Sequence, residues 1–98
     1  MVKQDPTLAS FYAVVTGLVQ GVYFRAFVEE HARALGLKGY VRNVARSSGV
    51  EVEAEGEKAK LEQLVKHLHQ GPQAAIVDKV DVRWGAYSGR FTDFIITR

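Results

Sequence analysis

Gly17-Leu18-Val19-Gln20-Gly21-Val22 joins an apolar stretch to a segment of helical periodicity whose first turn carries Arg25. Glycines let backbone N–H groups turn toward a ligand with no Cβ in the way. A helix N-terminus adds unpaired donors and partial positive charge, and a guanidinium grips two oxyanion oxygens at once. A loop of this composition can hold a phosphoryl group. The same residues also describe an ordinary strand-to-helix turn with a surface arginine, since neither the Walker pattern nor Gly-x-Gly-x-x-Gly is present. Asn43 reaches the same level by length. A helix over residues 24 to 35 descends about 18 Å, and a strand from Lys38 to Asn43 climbs back about 17 Å. The simplest role of an asparagine at a strand end is to satisfy the turn that follows.

The elements that must position these residues follow from periodicity. Ala9 to Thr16 is nearly all apolar or β-branched and bounded by Gly17, which predicts a central strand. Phe24, Phe27, Val28, Ala32 and Leu35 lie at helical spacing before Gly36, predicting an amphipathic helix over 23–35. Lys38 to Val44 is the next strand. After Arg46-Ser47-Ser48-Gly49, Val50, Val52 and Ala54 alternate with Glu51, Glu53 and Glu55, as in a half-exposed strand whose glutamates form its wet face. Leu61, Leu64, Val65 and Leu68 predict a second helix over 57–70, stopped by Gly71-Pro72. Val80, Val82 and Trp84 alternate with Lys79, Asp81 and Arg83, and Phe94 to Ile96 adds a short strand beyond the Ser88-Gly89 turn. Two helices covering the apolar side of one sheet, in the order β-α-β-β-α-β plus a short C-terminal strand, predict an α+β, ferredoxin-like split β-α-β sandwich with an antiparallel sheet. That fold hosts many functions and does not choose among them.

Composition narrows the chemistry. The 98 residues, 47% hydrophobic and 24% charged, without repeat or composition break, predict a single domain over 1–98, with only residues 1–8 loose. That opening stretch carries Lys3, Gln4, Asp5 and Pro6 and no apolar run, so it is neither signal peptide nor anchor, and a cytoplasmic location is expected. Cysteine is absent, which excludes disulfides, thiolate catalysis and sulfur-ligated metal. The formal charge of +2 mildly favours anionic ligands, but the basic residues are scattered. His67 and His69, two apart on a helix, point to different sides and make no metal pair. His31 suits the half-buried edge of the core, Tyr40 and Trp84 suit packing, and Arg46 suits a solvated turn.

Two stretches closely resemble one family. Gly17-Leu18-Val19-Gln20-Gly21-Val22-Tyr23-Phe24-Arg25 is similar to the acylphosphatase phosphate loop, Gly-x-Val-Gln-Gly-Val-x-Phe-Arg. Gly39-Tyr40-Val41-Arg42-Asn43 is similar to its second signature, Gly-aromatic-Val-Arg-Asn. Gly71-Pro72 and the tail from Tyr87 to Ile96 extend the resemblance over about residues 9 to 98. It implies the ferredoxin-like fold and hydrolysis of acyl phosphates to a carboxylate and inorganic phosphate. It also implies a phosphate held by backbone amides of Gln20, Gly21, Val22, Tyr23 and Phe24 and by the Arg25 side chain, with Asn43 positioning the attacking water. The chain departs from the family in the turn Val44-Ala45-Arg46-Ser47-Ser48-Gly49, one residue longer than the usual turn ending in Asp-Gly or Asn-Gly.

A carboxylate leaves an acyl phosphate without being protonated, so charge stabilisation and an aligned nucleophile suffice, and monoesters, with poorer leaving groups, are expected to react poorly. No metal, cofactor, nucleic acid or membrane is expected as a partner, and a monomer is expected. A binding module of the same fold is one rival. An RNA-recognition domain is another, because Lys38-Gly39-Tyr40 opens like its consensus, but the stacking aromatics that should follow are missing.

Overall fold

The computed structural model describes residues 7–98. Its elements are β1 (Leu8–Leu18), α1 (Phe24–Ala34), β2 (Lys38–Asn43), β3 (Val50–Glu57), α2 (Lys58–Gln70), β4 (Ile76–Gly85) and β5 (Phe94–Ile96). The strands form one sheet in the order β4-β1-β3-β2-β5, with both helices on one face. This is the ferredoxin-like arrangement expected from the periodicities, with β5 as the added strand. The β1–β3, β1–β4 and β2–β3 ladders are antiparallel, whereas β5 joins β2 in parallel, so the last strand makes the sheet mixed. The loose stretch expected over residues 1–8 falls mainly outside the described residues. Its final residue, Leu8, opens β1 opposite Glu57, and the Lys58 N–H donates to the Thr7 carbonyl.

Period-two alternation puts Phe11, Ala13 and Val15 of β1, Val41 of β2, and Val50, Val52 and Ala54 of β3 on the helix-covered face, all buried. Val28 and Ala32 of α1 and Leu61, Leu64 and Leu68 of α2, at spacings of three and four, close over them. Full burial of a leucine or phenylalanine side chain stabilises by about 1.5–3 kcal/mol, so this single cluster dominates the driving force. α1 and α2 meet along a small aromatic seam. The His31 and His67 rings stack at 3.7 Å between centroids, with Phe27 edge-on to His31. Burial, and secondarily the charge of His31, hold the His67 imidazole below its ordinary pKa.

The glutamate row of β3 corrects the sequence expectation. Glu51 and Glu55 are only 7% and 2% exposed, and none of the three glutamates lacks a partner. Glu51 accepts hydrogen bonds from the Tyr12 hydroxyl and the Arg42 guanidinium. Glu53 takes the Arg90 guanidinium at 2.6 Å. Glu55 accepts from the Ser88 N–H at 2.8 Å, the Ser88 hydroxyl at 2.7 Å and the Gly89 N–H at 2.9 Å. The wet face is lost for two reasons. β3 lies between β1 and β2, whose Tyr12 and Arg42 flank it, and the segment from Ala86 to Phe91 returns over this face as a strap. The hydrogen bond to Glu51, with burial, pushes the Tyr12 phenol up to about 12.

Candidate active site

The ladder does not stop at Gly17. Its register shifts between Thr16 and Gly17, and this irregularity lets β1 stay paired with β4 to Leu18 before the chain turns away. Val19 is buried and seats the loop on the core. Beyond it the backbone enters the left-handed region twice, at Gly21 (φ 73°) and at Tyr23 (φ 70°), with Val22 between them outside it. Such alternation turns successive N–H groups into one concavity. Gly21 adopts this conformation freely, and a Cβ built there would meet nothing within 4 Å, so the space beside it is open. Tyr23 holds it at a cost of about 1–2 kcal/mol for an L-residue, and its side chain stands 68% exposed.

Tyr23 is also the N-cap of α1, and it makes no side-chain capping bond. The first turn of α1 contains no acidic residue. Among the described residues, no N–H of Gln20, Gly21, Val22, Tyr23 or Phe24 donates to a protein acceptor outside the regular elements. The helix terminus therefore presents bare donors and no competing carboxylate, the electrostatics an anion needs. Arg25, half-buried on that first turn, forms no ion pair among the described residues.

Asn43 lies at the same end of the sheet. It pairs with Val50, which pairs in turn with Val15, three residues before β1 ends at Leu18 and the loop begins. Like Gly39 and Val41, it belongs to the helix-covered face of β2. Gly39 of the same signature serves packing, because a Cβ there would come within 1.9 Å of the Glu53 carbonyl oxygen. The following turn is closed without the Asn43 side chain, by the Val44 N–H donating to the Gly49 carbonyl at 2.9 Å. The Asn43 Oδ1 atom is left buried, and it is the one buried side-chain polar atom without a partner among the described residues. Buried polar atoms are nearly always satisfied, so an orphan at the same end of the sheet as a donor-lined loop calls for a partner such as a ligand or water.

Gln20 contributes more than a backbone N–H. Its Nε2 donates to the Ser47 carbonyl at 2.8 Å and to the Gly49 carbonyl at 2.7 Å, joining the loop to the long turn after Asn43. Sequence reasoning gave Gln20 only its amide and missed this, as it missed the strained backbone of Tyr23. A glutamine beside a glycine gives no local sign of its partner, and a tyrosine none of a positive φ. Arg46 is exposed at φ 60° in that turn.

Two surface clefts lie elsewhere. One, of about 350 Å³, is lined by residues including Tyr40, Arg90, Phe91 and Asp93. The other, of about 430 Å³, is lined by Thr7, Glu57, Lys58, Ala59 and Glu62. Neither includes a residue of the loop, and an oxyanion requires converging donors more than enclosed volume. Among the described residues no three His, Asp or Glu side chains are grouped as metal ligands.

Residues 11–96 match the family model described as Acylphosphatase. An acylphosphatase of Anaeromyxobacter sp. (strain Fw109-5) is 52% identical over 89 residues, covering 91% of this chain and 95% of that protein. One from Methanococcoides burtonii is 43% identical over 94 residues, covering 96% of this chain and 95% of that protein. The crystal structure of acylphosphatase from Bacillus subtilis superposes with a TM-score of 0.87 at 30% identity, covering 94% of this chain and all of that one. A family match running from the first core strand to the last, relatives at 43% and 52% identity over most of the chain and a shared fold over the same span lead to one conclusion: this chain belongs to the acylphosphatase family.

Proposed function

We propose that this chain hydrolyses acyl phosphates by direct in-line attack of water, with the phosphoryl group held by the backbone amides of Gln20 to Phe24 and by Arg25, and the water oriented by Asn43. Family membership supports the reaction. The observation that carries the residue roles is the orphaned Asn43 Oδ1 at the same end of the sheet as a run of unpaired loop amides.

The amides and guanidinium stabilise charge on the three equatorial phosphoryl oxygens, which is most of what a loose phosphoryl-transfer transition state asks of a protein. Asn43 Oδ1 accepts a hydrogen bond from water and thereby turns a water lone pair toward phosphorus, opposite the acyl oxygen. As the new P–O bond forms, the bond to the acyl oxygen breaks and its electron pair departs with the carboxylate. A non-bridging phosphoryl oxygen takes the proton from the attacking water. The leaving carboxylate needs no acid, so the reaction as proposed draws on no metal or cofactor. A monomer acting in the cytoplasm, without nucleic-acid or membrane partner, completes the proposal; no helix among the described residues is long and apolar enough to cross a membrane.

Hydrolysis of benzoyl phosphate by the purified protein, with a chelator present, tests the reaction. Phosphate calorimetry and single-turnover hydrolysis on Asn43→Ala and Arg25→Ala test the roles. The expected result is activity with the chelator, phosphate binding kept and turnover lost in Asn43→Ala, and both lost in Arg25→Ala. Binding of phosphate by the wild-type protein with no turnover would make it a binding module instead.

A further inference from the structure

The Gln20 carboxamide has no role in the scheme above, yet it is the best-placed side chain of the loop. Both of its N–H bonds are used, one on the carbonyl of Ser47 and one on that of Gly49. The Gly49 carbonyl is also the acceptor that the Val44 N–H uses to close the turn. One oxygen thus receives a donor from the phosphate loop and a donor from the residue next to Asn43, and its two lone pairs are filled. Ser47 is fixed a second time, its hydroxyl accepting from the Gly49 N–H at 3.1 Å.

The turn needs such a latch. It spans Val44 to Gly49 between β2 and β3, its residues from Ala45 to Ser48 are exposed, and it holds Arg46 in the left-handed region. An alanine-arginine-serine-serine stretch has little of its own to fix the end of β2 to better than an ångström. Misplacing a reacting group by about an ångström can reduce the rate by about a hundredfold.

We infer that Gln20 is a positioning residue whose carboxamide clamps the turn after Asn43 to the phosphate loop and so aligns the water held by Asn43 with the phosphorus. This inference rests on the proposed role of Asn43. The clamp requires two donors on one atom at this reach. Methionine keeps the length and loses the donors, glutamate turns acceptors toward two carbonyls, and asparagine is a methylene too short.

The test is a double-mutant cycle on Gln20→Met and Asn43→Ala, with kcat for benzoyl phosphate and the inhibition constant of inorganic phosphate measured for each folded protein. Gln20→Met is expected to lower kcat by about tenfold or more while moving the phosphate constant by less than about twofold. In the Asn43→Ala background the same substitution should leave kcat unchanged, because the residue through which it acts is gone. Gln20→Asn, which retains the donors at shorter reach, should fall between wild type and Gln20→Met and guards against an idiosyncratic effect of the thioether. An unchanged kcat in Gln20→Met, an equal fall in both backgrounds, or a parallel loss of phosphate affinity would each overturn the clamp. An Asn43→Ala single variant with wild-type kcat would instead remove the water-orienting role on which it rests.

Discussion

The two faces of the sheet treat polar groups in opposite ways. On the open face, Glu51, Glu53 and Glu55 each meet a matched donor, from Tyr12 and Arg42 for Glu51 and from the Ala86 to Phe91 strap for Glu53 and Glu55. At the loop end of the helix-covered face, and among the described residues, Asn43 Oδ1 is buried without a donor, Arg25 stands without a counter-ion, and the α1 N-terminus has no side-chain cap. Both regions carry charged or polar groups, and by residue type the glutamate row looks the more reactive. Satisfaction separates them. A polar group whose hydrogen bonds are complete inside the protein contributes to stability, whereas one left incomplete is free for a ligand.

Substitutions at the two regions should therefore divide cleanly between turnover and stability. The largest effects belong to the loop end. Arg25→Ala should lose phosphate binding and turnover together. Arg25→Lys should not rescue it, because an ammonium keeps the charge without the planar two-pronged grip. Asn43→Ala should lose about 3–4 kcal/mol of transition-state stabilisation in single-turnover kinetics. It should keep its urea midpoint, since no native hydrogen bond of the Asn43 carbonyl oxygen is lost. A fall in midpoint as large as the fall in turnover would erase the contrast.

On the open face the sign reverses. Glu55→Ala removes the acceptor of three hydrogen bonds to the strap and should destabilise by about 1.5–3 kcal/mol in urea titration, with kcat for benzoyl phosphate unchanged. Burial alone would push the Glu55 carboxyl up, but the hydrogen bonds from Ser88 and Gly89, with the Arg90 charge, outweigh it and hold the pKa below its usual 4.5. The lowered folded-state value means that this stability is fully present above the ordinary carboxylate range and is lost as pH falls through the depressed value. Glu55→Gln should accordingly flatten the acid limb of stability against pH. An unchanged acid limb would assign the limb to other groups.

The smallest effect should come from the exposed ion pairs. Arg33 lies 3.2 Å from Asp93 and 3.7 Å from Glu29, with Arg33 and Asp93 open to solvent and Glu29 only half-buried. Arg33→Ala should change stability by only about 0.2–1 kcal/mol, and less in high salt. A larger loss would show that pairing can matter on this surface without burial.

How much of this was legible in the sequence follows the same division. α1 was legible because Phe24, Phe27, Val28 and Ala32 repeat at helical spacing and Gly36 ends the run, and the order of elements needed only such local patterns. β1 ran two residues past its expected end, because Gly17 marks a shift in register and not a stop. The Asn43 level could be reached from helix and strand lengths. The burial of Glu51 and Glu55 could not, because the groups that satisfy them lie as far as 39 residues away for Tyr12 and 34 for Gly89. Alternation shows which face a residue takes, but not what returns to cover that face. The orphaned oxygen of Asn43 was hidden for the same reason, since having no partner is a property of the assembled surroundings.

The parallel pairing of β5 with β2 also gives the domain a polarity for attachment. Leu8 enters β1 opposite Glu57, and the ten residue steps from Leu8 to Leu18 place that entry about 33 Å from the loop. β5 ends with Ile96 beside Val41, two residues from Asn43, and the Thr97 N–H donates to the Val41 carbonyl. A carrier protein, bead or dye tethered through the Leu8 end would leave the loop mouth clear. The same cargo tethered through Arg98 would hang beside the Asn43 turn and crowd the proposed phosphate loop.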